Sequence, residues 1–89
     1  MVKLTDLAAT ILAQTLEETP RKEGQVLRLI QNEDGCGLEM DIQRKGDQVI
    51  KHNDEAVLLV NPELSEFLGD VTVDIVERQG GVQVVLQEE

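Results

Sequence analysis

The sequence predicts an α+β domain built mostly of strands. Three observations carry that prediction. Apolar residues near the start recur every three or four positions. After Gly24 the period changes to two. A compact helix signal, "NPELSEFLGD", then precedes a final pair of alternating segments.

Leu4, Leu7, Ala8, Ile11, Leu12 and Leu16 form one apolar helical face. Thr5 is placed as its N-cap, and Asp6 stands where the helix dipole favours an acid. Pro20 and Gly24 close the segment, with "RKE" as a polar link. "QVLRLIQ" then places Leu27 and Leu29 on one strand face. "LEMDIQ" places Leu38, Met40 and Ile42 on one face, with Glu39 and Asp41 on a solvated one. The two read as a hairpin whose loop holds Cys36. "KGD" is a turn, "QVIKH" a short strand and "HND" a second turn. "AVLLV" is apolar throughout and is expected to be covered on both faces. In the second helix Asn61 is the cap, Pro62 the first residue and Gly69 the stop, with Leu64, Phe67 and Leu68 buried. "VTVDIVE" turns Val71, Val73 and Ile75 inward. "RQGG" makes the last turn, and Val82, Val84 and Leu86 follow inward. No repeat or linker divides residues 1–89, so one domain is expected.

Composition narrows the function. Eighteen acids against eight bases give a formal charge of −10. That field repels phosphate backbones and anionic lipid, which argues against nucleic acid and membrane as partners. It favours a cationic partner protein or a metal ion, and in the plainest reading it keeps a small protein soluble. Phe67 is the only aromatic residue, so no platform exists for stacking bases. A single cysteine makes no intramolecular disulfide, and the start reads as an amphipathic helix without a cleavage site. A cytoplasmic location follows as the expectation. Self-repulsion points to a monomer or a weak homodimer.

The order of these segments resembles a known family. "LTDLAATIL" is similar to the opening helix of the A-type iron–sulphur carriers, the HesB-like family, and "LRL" at 27–29 to their first strand. Gly35 and Cys36 fall where that family's Gly-Cys-Ser-Gly loop begins, and "VTVDIVE" resembles its later strand. The resemblance runs over almost the whole chain and implies the HesB-like fold. It implies a role in iron–sulphur assembly without enzymatic activity, iron or a cluster as the bound species, and Cys36 as ligand in a loop shaped by Gly35 and Gly37. Two features depart from the pattern. Gly37 and Leu38 stand in place of Ser-Gly, and no counterpart of the family's C-terminal Cys-x-Cys occurs before "VVLQEE". Reduced or lost cluster binding is the corresponding expectation.

The residues themselves leave Cys36 several roles. A cluster generally needs four ligands, and one cysteine per chain supplies two in a dimer. A reactive thiolate needs nearby cations, whereas Glu33, Asp34 and Glu39 are acids, and no second cysteine is present to resolve an oxidised one. His52 has no diagnostic spacing to Cys36 and reads as a surface strand residue. A small residue filling a glycine-shaped loop is the plainest role. "NEDGCGLEMDIQ" lacks the ligand register of a calcium loop, and neither "GCG" nor "QGG" leads into a helix as a phosphate loop would. Two functions of different class remain. One is an iron–sulphur assembly or carrier protein. The other is a cluster-less interaction or regulatory module on the same fold.

Overall fold

Thr5 begins the first helix as its sequence predicts. In the computed structural model, which describes residues 1–33, 35–79 and 81–88, its Oγ1 accepts from the Ala8 N–H at 3.0 Å. The same hydroxyl donates to Asp74 Oδ1 at 2.8 Å, so the cap is tied to a distant strand. The elements are β1 (Lys3–Leu4), α1 (Asp6–Glu18), β2 (Gln25–Asn32), β3 (Gly35–Ile42), β4 (Gln48–His52), β5 (Glu55–Val60), α2 (Pro62–Leu68), β6 (Val71–Arg78) and β7 (Gly81–Glu88). They form a four-stranded sheet ordered β3-β2-β5-β4 and a three-stranded sheet ordered β1-β6-β7. The expected order of helix, four strands, helix and hairpin is therefore present, with β1 added. Leu4, expected on the helix, instead pairs with Val73 in the parallel β1–β6 contact. A two-residue strand is too short to show alternation.

Ala8, Leu12 and Leu16 hold the centre of the buried α1 face, flanked by Ala9 and Ile11. Leu7 falls outside that flank and is 62% exposed, contrary to its expected burial. Val57, Leu58, Leu59 and Val60 are all buried, as the unbroken apolar run of β5 requires. In β6, Val71, Val73 and Ile75 point inward as expected. In β7, Val84 and Leu86 pack on the core, but Val82, next to the turn, is exposed. Ile42 is likewise exposed at the far end of its strand. Gly80 of the expected "RQGG" turn and Asp34 of the first hairpin lie outside the described residues.

Capping of α2 follows the sequence. Asn61 Oδ1 accepts from the Leu64 N–H at 2.7 Å, and Gly69 ends the helix at a φ of 64°. Phe67, expected to be buried, is 72% exposed. The cause is the roll of the helix. Ser65 Oγ donates to Gln48 Oε1 at 2.8 Å, which turns the face holding Leu64, Ser65 and Leu68 downward and swings Phe67 out. Gln48 also exchanges two hydrogen bonds with the backbone of Val2, at 3.2 and 2.7 Å. One glutamine thus joins the N-terminal segment, β4 and α2.

β2 carries a feature that its alternation does not announce. Arg28 is 5% exposed, the one buried charged residue among those described. Its Nε donates to Asp41 Oδ2 at 2.7 Å, and its Nη1 and Nη2 donate to the two Asp47 oxygens at 2.9 and 2.6 Å. Nη2 also reaches the Ile42 carbonyl at 3.2 Å. Asp41 is therefore half-buried and paired, which corrects the expected solvated face; Glu39 is exposed as expected. Hydrogen bonds from Arg28 chiefly hold the Asp47 carboxyl below its usual range. For Asp41 the Ile42 N–H is the first cause, with Arg28 adding to it.

Removing one acid leaves a buried guanidinium incompletely paired. Asp47→Ala is expected to lower the unfolding free energy by about 3–5 kcal/mol at pH 7, measured by urea denaturation. The folded pKa of Asp47 is depressed, so its contribution is full above the unfolded value of about 3.9 and is lost as pH falls through the folded one. The gap between wild type and variant is expected to hold down to about pH 5 and to shrink below about pH 4. A gap unchanged at pH 2 would exclude the ion pair as its source. At α2, Phe67→Ala should shift stability by less than about 0.5 kcal/mol, whereas Leu64→Ala should cost about 2–4 kcal/mol. Equal losses would contradict the roll of this helix.

Candidate functional site

Cys36 does not lie in a loop. It is the second residue of β3 and pairs directly with Gln31 in a ladder that runs from Gln25↔Ile42 to Asn32↔Gly35. The "GCG" stretch looks like a turn because glycines interrupt the alternation, yet a ladder needs only backbone groups. Gly35 has a φ of 129°, a conformation that side-chain-bearing residues rarely adopt. Gly37 has no such angle, and a Cβ there would make only ordinary contacts, 3.6 Å to Asn32 Nδ2 and 3.7 Å to Ile30 Cγ1, so neither backbone nor space demands glycine at 37.

Strand alternation puts Cys36 on the same face as Leu38 and Met40, and all three pack against the core. The thiol is half-buried and free. It borders a cleft of about 260 Å³ between Cys36, Gly37 and Leu38 of β3 and Val82, Gln83 and Val84 of β7. Burial pushes its pKa up. The expected resistance to ionisation is therefore present, but desolvation causes it, where the sequence pointed to neighbouring acids. The β7 neighbours carried no sequence signal, because they approach across some forty-six positions of chain.

His52 ends β4, which forms the edge of the sheet opposite β3. A Cys36–His52 nucleophile pair is thus ruled out by topology. Among the described residues no group of three or more His, Cys, Asp or Glu side chains converges in a way that would hold a metal ion. The donor set at Cys36 is one neutral-leaning thiol among apolar side chains and amides. Metal ligation requires the thiolate, and cluster binding about four such donors. These residues do not fit a cluster held by one chain alone.

No family model and no curated protein matches the chain. Solved structures do. SufA of Escherichia coli, described as involved in biosynthesis of iron–sulphur clusters, superposes with a TM-score of 0.75 over 97% of this chain and 83% of its own, at 21% identity. IscA, solved with a [2Fe-2S] cluster, superposes with a TM-score of 0.65 over 98% of this chain and 84% of its own, at 18% identity. The chain has the HesB-like fold. These superpositions bear out the expected fold. The HesB-like scaffold places Cys36 on a core-packed strand. No helix among the described residues is long and apolar enough to cross a membrane.

Thiol reactivity checks this geometry. Iodoacetamide should label Cys36 in the folded chain at pH 7.5 more than about threefold more slowly than free cysteine, with the rate rising above pH 9. Urea should restore the free rate. Labelling as fast as free cysteine in the folded chain would contradict the burial described.

Proposed function

We propose that this protein acts in iron–sulphur cluster assembly as a non-enzymatic, cytoplasmic, single-domain HesB-like protein whose own cluster binding is reduced. The observation that carries the assembly role is the superposition on SufA and IscA over nearly the entire chain. The single core-packed thiol carries the reduction. In this reading the cluster or iron is cargo. Cys36 contributes one thiolate, as a monomer or in a weak homodimer, and other molecules contribute the rest.

Anaerobic reconstitution with iron and sulphide tests this, run with and without glutathione. Little or no visible charge-transfer absorption is expected without added thiol. With glutathione, labile absorption at no more than about one cluster per two chains is expected, since a pair of chains offers two of the four thiolates a cluster uses. Cys36→Ser should abolish it. The chain has no Trp or Tyr, so near-ultraviolet absorbance would report the cluster with little interference. A stable cluster on every chain, or one that survives Cys36→Ser, would contradict the proposal. Absence of colour under both conditions would leave the cluster-less interaction module. That second reading is favoured by one observation of its own, the exposure of the only aromatic side chain.

A further inference from the structure

Phe67 stands at the rim of a groove of about 480 Å³ between α2 and β2. Leu64, Leu29 and Ile30 supply its apolar wall, and Glu63 its polar end. None of the residues lining the groove is basic. Glu66 sits exposed beside Phe67, and exposed Glu33 follows two positions after Gln31, the groove residue on β2. Gln31 is also the direct cross-strand partner of Cys36, and Ile30 lies over Gly37. The groove therefore ends one strand spacing from the thiol-bearing backbone, about 5 Å.

An exposed phenyl ring beside an apolar groove is unneeded by the fold, because Leu64 and Leu68 already seat α2. Aromatic residues at such rims are the side chains that most often dominate protein contacts. Charge selects the occupant. A second copy would bring another −10 and set acid against acid at distances well inside the screening length of about 8 Å. Nucleic acid and anionic lipid are opposed by the same field. A cationic segment with an apolar face matches both the ring and the acids.

We propose that the α2–β2 groove docks a basic, amphipathic segment of a partner protein, with Phe67 as the central contact. Docking there brings the partner alongside β3 at Cys36. This last use rests on the assembly reading, whereas the docking does not and is measured without iron.

The test titrates three synthetic peptides into the ¹⁵N-labelled chain. They are a 14-residue amphipathic Lys/Leu helix, a Glu/Leu peptide of the same pattern, and oligolysine. The Lys/Leu peptide is expected to shift the amides of Ile30, Gln31, Leu64 and Phe67, with affinity falling as salt rises. The other two should leave them in place. Phe67→Ala should weaken the interaction about tenfold or more while keeping the amide spectrum of a folded chain, and Glu63→Lys should weaken it without touching the ring. Shifts centred instead on the exposed Leu7 face of α1 would overturn the proposal. So would oligolysine binding as strongly as Lys/Leu, or unchanged affinity in Phe67→Ala. Self-association of the free chain that Phe67→Ala removes would assign the groove to a second copy and overturn it as well. Failure here with cluster formation intact would refute the docking alone.

Discussion

The buried guanidinium of Arg28 is the constraint on which the larger sheet depends. Desolvating a cation costs several kcal/mol unless every donor is met by charge or a good acceptor. Here Asp47 takes two donors, Asp41 one, and the Ile42 carbonyl a further bond. Meeting that demand fixes three pieces of chain at once. It holds β2 against the end of β3. It folds the following turn back so that Asp47 Oδ2 also accepts from the Arg44 N–H at 2.7 Å. It delivers the chain into β4 at Gln48. It also sets register. Sliding β2 by one residue would place Arg28 on the face now held by Leu27 and Leu29, with no acid to meet it. The net stabilisation from such a cluster can be small compared with an apolar replacement, while its power to exclude wrong pairings is large.

Two further polar devices join the layers. Thr5 caps α1 and bonds Asp74, so the helix start and β6 are fixed to each other. Gln48 stands in for a strand partner at Val2 and receives Ser65 from α2. Both are partly buried contacts between segments far apart in sequence. Apolar burial supplies the driving force, with Leu12, Leu29, Leu58, Leu59, Val73 and Ile75 almost wholly enclosed. Apolar contacts alone, however, permit α2 to roll. The Ser65–Gln48 bond, with Leu64 and Leu68 on the same side of the helix, fits the observed roll, in which Phe67 faces out.

Most of this architecture was legible because it is written in local chemistry. The caps Thr5 and Asn61, the stop at Gly69, the turns at Gly46 and at Asn53–Asp54, and the two-sided burial of β5 each follow from residues within a few positions of one another. Three of the misreadings share a different cause. Phe67 lies off the α2 face whose Ser65 bonds Gln48, Leu4 is a strand residue because Val73 lies beside it, and Asp41 is half-buried because Arg28 needs it. Each is decided by a partner at least thirteen positions away, where periodicity carries no information. At the candidate site the direction in which the Cys36 thiol is shifted was legible, while its cause and the place of the residue were not. The glycines around it resemble a turn, but Gly37 is ordinary strand paired with Ile30.

That placement bears on how the thiol can act. A cysteine in a mobile loop can move toward other ligands, whereas one in an antiparallel ladder is fixed in direction by the strand beside it. Cys36 is further held by the packing of Leu38 and Met40 on its own face. Partner ligands must therefore come to it. They must also offset the desolvation that keeps the thiol protonated, which a bound cation or an approaching basic surface does by favouring the thiolate. An acidic molecule cannot supply that cation from its own neighbourhood, since Glu33 and Glu39 are the charged residues nearest in sequence among those described. The cationic partner proposed to seat against β2 would bring a field that lowers the cost of ionising the thiol and, in the assembly reading, further ligands beside it. In the proposed reading the donors that Cys36 lacks and the acidic surface are complementary: the chain would hold the fold and one sulphur, and its charge would recruit the rest.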